Sequence, residues 1–124
     1  MNFYDLKNIE NDAVSSSYFR KAVYGESLAV ARVEVKKGEV TQPHSHDNEE
    51  VIYVLKGEWL FHLPEGDVTL KDDQMLCIPA GVIHSSEVIE DTEAVDICAK
   101  DRADWRTGQD RPLHVNPEES LWAV

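Results

Sequence analysis

Residues 44–57 read HSHDNEEVIYVLKG: two histidines one residue apart, a glutamate four positions after the second, then an apolar run ending in Lys56-Gly57. On an extended strand, residues i and i+2 project to one face, so His44 and His46 address the same space. Asp47-Asn48-Glu49 intervenes before Glu50, and a bend there brings the carboxylate back toward the imidazoles. Two neutral imidazoles and a carboxylate are a usual ligand set for a divalent transition metal. A third imidazole, His84, follows Pro79-Ala80-Gly81, a turn that aims it from another strand at the same cavity.

Outward from this stretch the apolar pattern has period two, as in LAVARVEV (28–35), WLFHL (59–63) and AVDICA (94–99). Turn signals punctuate it at Lys37-Gly38, Lys56-Gly57, Pro64-Glu65-Gly66-Asp67, Asp72-Asp73 and Ala80-Gly81. Many short strands with no helical pattern between them predict an all-β sandwich or barrel. SYFRKAVYG (17–25) reads as a first strand, and the polar residues 1–14 as a short helix or strap. After Trp105 the chain turns polar, and Asn116-Pro117 followed by acids predicts a short C-terminal helix whose Leu121 and Trp122 pack on the barrel or on a second subunit.

A chain of 124 residues has room for one core, so residues 1–124 read as a single domain with a core over about 28–100 and a C-terminal extension over 101–124. A net charge of −12 argues against nucleic-acid partners and anionic membrane surfaces. No apolar run approaches the roughly 20 residues of a membrane span. The N-terminal MNFYDLKNIEND lacks the order of a signal peptide, so the expected location is cytoplasmic. Cys77 and Cys98 lie in apolar strands without a CxxC pair and read as buried free thiols, in keeping with a reducing compartment.

The spacing of Gly38, His44, His46, Glu50 and Gly57 resembles the first motif of the cupin family at every fixed position. Pro79, Gly81 and His84 match the second motif, which departs at its initial glycine, here Asp73, and at its terminal asparagine, here Val88. The resemblance covers about residues 28–100. It implies a double-stranded β-helix, the cupin jelly-roll barrel, with short terminal extensions and one divalent metal ion (Fe, Mn, Ni, Co or Zn) on His44, His46, Glu50 and His84. Four protein ligands leave open positions on an octahedral ion, as in a catalytic site. The bland reading is a metal-free storage or binding shell, as some cupins are. A homodimer is implied as well, since small cupins commonly pair through barrel faces.

The segment VDICAKDRADW (95–105) resembles that of the pectin- and alginate-degradation cupins of the KdgF type, which linearise unsaturated uronic acids: Asp96, Arg102, Asp104 and Trp105 stand in matching places. Asp96 alternates with Val95 and Ile97 and so faces away from both, a candidate acid/base in the cavity. Arg102 reads either as a bidentate clamp for a substrate carboxylate or as the partner of Asp96 in an internal ion pair. Those relatives often carry glutamine where this chain has Glu50; a carboxylate lowers Lewis acidity and also suits iron or manganese redox chemistry. His62 reads as a strand residue, His114 as a solvated tail residue, and Arg32 stays ambiguous. Tyr53, Trp59, Phe61 and Met75 read as core or subunit-contact residues. Apart from Glu50, the acid clusters read as solvated turns.

Three functions follow as expectations. The leading one is a metal-dependent enzyme acting on a small polar carboxylated metabolite, by isomerisation, ring opening or lyase chemistry on a sugar acid, with Asp96 and Arg102 as catalytic residues. The second is an iron-dependent dioxygenase; the third is a small-molecule-binding cupin without turnover.

Overall fold

The computed structural model describes residues 1–117. A 3-10 turn at Leu6–Asn8 precedes β1 (Asp12–Ser15), β2 (Tyr18–Tyr24), β3 (Leu28–Val35), β4 (Val40–His44), β5 (Glu50–Leu63), β6 (Gly66–Lys71), β7 (Gln74–Ile78) and β8 (His84–Ala99). Helix α1 (Ala103–Thr107), a 3-10 turn at Arg111–Leu113 and the two-residue strand β9 (His114–Val115) follow. The expected strand over 17–25 is β2, preceded by the short β1. The predicted C-terminal helix begins where the described residues end, and Leu121 and Trp122 lie outside them. Helix α1 was not expected: five residues are too few to show an apolar period.

The nine strands of the described residues join in one antiparallel sheet rolled into a jelly-roll barrel, as the period-two pattern implied. The long β8 is its seam. One edge of β8 pairs with β3 over residues 92–99 and with β4 near His84; the other pairs with β5 along most of its length. β6 and β7 in turn pair with the two halves of β5. The inward face follows the alternation: Ala29, Ala31, Val33 and Val35 of β3 are buried, as are Ile52, Val54, Trp59 and Phe61 of β5. In β5 the buried positions switch from even to odd numbers between Val54 and Trp59. The register against β8 slips at the same place, because an inward face can change parity only where an extra residue enters the ladder.

Gly57 therefore does not form the turn expected at Lys56-Gly57. It bends a continuous strand at φ 128°, with its N–H donating to Asp72 Oδ1 at 2.8 Å. Asp73, which replaces the expected motif glycine, has φ 63°. Asp enters the left-handed region more readily than most residues, so the departure keeps the turn. Cys98 is buried as expected, but Cys77 is exposed, because it lies on the outward parity of β7. Met75, expected in a core or contact role, is 60% exposed on the same strand.

The C-terminal segment closes one side of the barrel mouth. Trp105 of α1 is buried, with the Arg102 and Arg20 guanidinium carbons 4.6 and 5.1 Å from its ring. β9 then pairs with β4, setting His114 opposite Thr41. Among the described residues no helix is long and apolar enough to cross a membrane.

Candidate metal centre

His44 ends β4, His46 lies two residues on in the connection, Glu50 opens β5 and His84 opens β8, so three strand ends and one loop residue meet at the barrel mouth. The chain bends at Asp47–Asn48, and Asn48 Nδ2 donates to the carbonyls of Ala99 and Asp101 at 2.7 and 3.2 Å, tying that bend to the end of β8. β4 carries an irregularity between Thr41 and His44 that adds one residue against Ser86–His84. Without it, residues three apart would face opposite sides; with it, Thr41 and His44 both line the cavity.

The histidine ligand atoms lie within 4.8 Å of one another. The ring centroids are 4.3 Å (His44–His84), 5.1 Å (His46–His84) and 5.6 Å (His44–His46) apart. Each Nδ1 meets a backbone carbonyl two residues away: Gln42 at 2.8 Å, Asn48 at 3.1 Å and Val82 at 2.9 Å. A carbonyl only accepts, so each Nδ1 carries the hydrogen, and a ring in its neutral form then presents a bare Nε2 lone pair to the centre. Glu50 Oε1 lies 3.4 Å from His46 Nε2 and 3.3 Å from His84 Nε2. Lone pairs facing a carboxylate oxygen at this distance repel unless a proton or a cation stands between them. His46 Nε2 is moreover buried without a hydrogen-bond partner among the described residues. Three such nitrogens and one carboxylate oxygen fit a divalent transition metal, with the carbonyls as the outer partners that orient metal-binding histidines. Burial, together with the neighbouring His84 and His46, holds the His44 imidazole below its usual range and hence neutral.

Behind Glu50 lies a second buried group: Cys98 Sγ is 3.6 Å from Glu50 Oε2 and 3.7 Å from Asp96 Oδ1, and Arg102 Nη1 is 3.8 Å from Glu50 Oε2. Burial, then the adjacent Glu50 charge, pushes the Asp96 carboxyl well above its usual range. Burial alone would raise Glu50 too, but the adjoining His46, His84 and Asp96 side chains and the Arg102 charge outweigh it and hold Glu50 well below. The pair thus carries its proton on Asp96. Ala31 and Ala29 of β3 sit opposite Asp96 and Cys98, and their small side chains leave room for this polar group in the barrel.

Of the six expected site residues, His44, Glu50, His84, Asp96 and Arg102 line one cavity and His46 stands against Glu50, with Asp96 facing inward as alternation required. The Arg102 fork is occupied: Nε and Nη2 each donate to Asp104 at 2.9 Å, and Nη1 approaches Cys98 Sγ at 3.2 Å. Arg102 thereby pairs with Asp104 and Glu50. His62 is a strand residue 2.8 Å from Asp67, and Arg32 pairs with Glu93. His114 departs from expectation. It is not solvated but lines the cavity, 3.0 Å from Thr41 Oγ1 and 3.2 Å from Asp110 Oδ2, with its ring 4.3 Å from that of Tyr18. Nothing local signals this, because the contact depends on β9 pairing with β4 across 73 residues.

A jelly-roll barrel with three imidazoles and a carboxylate at its mouth is the architecture of a metal-binding barrel. The family model of the cupin domain matches residues 31–99, and the chain belongs to the cupin family. Among solved structures it is similar to KdgF from a Halomonas species (TM-score 0.77, 21% identity, 84% of this chain and 99% of that one). It is also similar to an RmlC-like cupin from Shewanella frigidimarina (TM-score 0.78, 19% identity, 85% and 96%). Oxalate decarboxylase of Bacillus subtilis, described with Mn(II) centres, matches at TM-score 0.69 and 17% identity over 78% of this chain and 29% of that one. At these identities the likenesses show the fold. No curated protein sequence matches the chain.

Proposed function

We propose that the protein is a metal-dependent enzyme acting on a small carboxylated metabolite, most directly by opening or isomerising the ring of a sugar acid. The observation that carries the reading is the set of three imidazoles, each fixed by an Nδ1 contact to a carbonyl and with ligand atoms within 4.8 Å of one another, two of which, His46 and His84, set Nε2 beside Glu50 Oε1. His44, His46, His84 and Glu50 would hold the ion, which when bound supplies Lewis acidity toward substrate oxygens. The remaining roles belong to the chain. Asp96 holds a proton in the cavity and can release it to a substrate oxygen. Arg102, its fork held by Asp104, fixes Glu50 and keeps a positive charge in the cavity wall. Ile52, Trp59, Phe61 and Ile78 give the cavity an apolar wall. Its volume of about 40 Å³ has room for about three waters, which suits the reacting end of a small molecule. The choice of a sugar acid is supported by the resemblance of residues 96–105 to the uronate-linearising cupins.

The carboxylate ligand also favours a second reading, an iron dioxygenase. One experiment separates them. Tag-free wild type and a Glu50→Ala, His84→Ala variant are analysed for metal, then given an unsaturated uronic acid monomer while its ultraviolet absorbance and dissolved oxygen are followed. About one metal per chain, absent from the variant, with absorbance lost and oxygen unchanged, supports the proposal. Oxygen uptake coupled to substrate loss moves the protein to the second reading. A wild type that takes up none of the supplied ions leaves only a binding shell.

A further inference from the structure

The cavity has a second polar wall that the metal centre does not use. Thr41, His114 and Asp110 form a chain of contacts: Thr41 Oγ1 to His114 Nδ1 at 3.0 Å and His114 Nε2 to Asp110 Oδ2 at 3.2 Å. All three line the cavity that also contains His44, His84 and Asp96. Arg20 grips Asp110 with Nη1 and Nη2 at 2.6 and 3.2 Å, both side chains being almost fully buried. We propose that these residues form a proton relay in which the Thr41 hydroxyl exchanges a proton with a hydroxyl of a small hydroxylated acid seated at the metal centre. Its choice of substrate rests on the function proposed above.

Donor counting sets the direction. Asp110 is kept ionised because hydrogen bonds from His114 and Arg20 outweigh the effect of burial. An ionised carboxylate only accepts, so His114 Nε2 bears the hydrogen and donates it. With the ring in its neutral form Nδ1 is then bare and accepts from the Thr41 hydroxyl. That leaves the Thr41 oxygen with lone pairs for a further donor, which in this cavity is a substrate hydroxyl. His114 and Asp110 are positioning residues; Thr41 makes the contact.

Two independent features support a ligand here. The extra residue in β4 turns Thr41 inward beside His44, and the β4–β9 register places His114 opposite Thr41. Trp59, another lining residue, has its indole Nε1–H buried without an acceptor among the described residues, a donor suited to a ligand oxygen.

For a cyclic hemiacetal the step balances. The anomeric O–H bond breaks and its proton passes to Thr41 Oγ1 as the Thr41 proton passes to His114 Nδ1. The electron pair left on the anomeric oxygen forms the carbonyl as the ring C–O bond breaks, and the ring oxygen takes a proton from a water molecule. The resulting imidazolium lies against the Asp110 carboxylate and returns its proton to the hydroxide so formed. No oxidant or reductant is needed.

Two measurements test the relay. The first needs no turnover: ring-nitrogen NMR of the folded protein, with the His114 signals assigned from their loss in His114→Gln. The Nε2–H tautomer is expected, with an Nδ1 shift that moves in Thr41→Val and returns in Thr41→Ser; the Nδ1–H tautomer overturns the relay. The second is uronate opening with metal content and melting midpoint checked in each variant. Thr41→Val is expected to lose about 100-fold or more in kcat with KM and metal content kept, and Thr41→Ser to recover most of it. An active Thr41→Val overturns the relay and leaves the proposed function standing. If the wild type opens no uronate, the proposed function falls and the tautomer alone decides the relay.

Discussion

Replacing Gly57 by alanine tests whether the bend in β5 is as tightly built as it looks. A Cβ there would come within 2.3 Å of Thr92 Oγ1 and 2.6 Å of both Asp91 O and Thr92 Cα. Two of these atoms are backbone, and the third cannot swing away cheaply: Thr92 Oγ1 accepts from Glu58 N at 3.0 Å and donates to Glu90 O at 2.7 Å. Gly66 supplies the control, with a similar φ of 135° and nothing within 4 Å of its added Cβ. Each substitution incurs backbone strain of about 1 to 3 kcal/mol. Only Gly57→Ala adds overpacking, worth about 1 to 3 kcal/mol more. At about 4 °C per kcal/mol for a chain of 124 residues, Gly57→Ala is expected to melt about 4 to 12 °C below Gly66→Ala. The assay is thermal unfolding followed by circular dichroism at one metal concentration. Two variants melting within about 2 °C of each other would refute the close approach of β5 to the Asp91–Thr92 backbone.

Asp110→Asn, which leaves Arg20 buried against a neutral partner, is expected to cost about 3 kcal/mol in denaturant unfolding. The same variant has a pH signature. The folded Asp110 carboxyl lies below its unfolded value of about 4, so its contribution is complete above that pH and fades as the pH falls through the folded value. Wild type should thus lose stability faster than Asp110→Asn below about pH 4, and parallel acid limbs would count against the pair. Zinc or manganese at about 100 times its dissociation constant should stabilise wild type by about 2.7 kcal/mol, and His84→Ala by nothing measurable. A melting shift retained in His84→Ala would place the ion elsewhere. Finally, a polar maleimide should label exposed Cys77 in the native protein and buried Cys98 only on unfolding; equal labelling rates would refute the inward placing of Cys98.

Much of this was legible because two local rules carry it. The alternation in LAVARVEV gives β3 with its bounds, and the i, i+2 rule puts His44 and His46 on one face. The spacing to Glu50, the Pro79–Gly81 turn before His84 and the alternation around Asp96 supply the rest of the centre. What stayed hidden depends on irregularities and long range. Gly57 looks like a turn because glycine marks turns and bulges alike, and only the pairing with β8 distinguishes them. Cys77 looks buried because its neighbours are apolar, but a slip of one position reverses the face. His114 and Asp110 sit in a polar tail whose burial comes from β4 and Arg20, far away in sequence.

The three contacts from Nδ1 to carbonyl oxygens have an engineering meaning. Each ring is oriented by a carbonyl only two residues away along the chain, so the aim of each imidazole is written into its own short peptide. The ligands behave as cassettes: residues 42–50 and 82–84 carry both the coordinating atoms and the means of pointing them. Grafted onto another barrel with the same strand spacing, they should arrive already aimed. The residues free to diversify the chemistry are then those of the opposite wall, where the C-terminal segment meets β4.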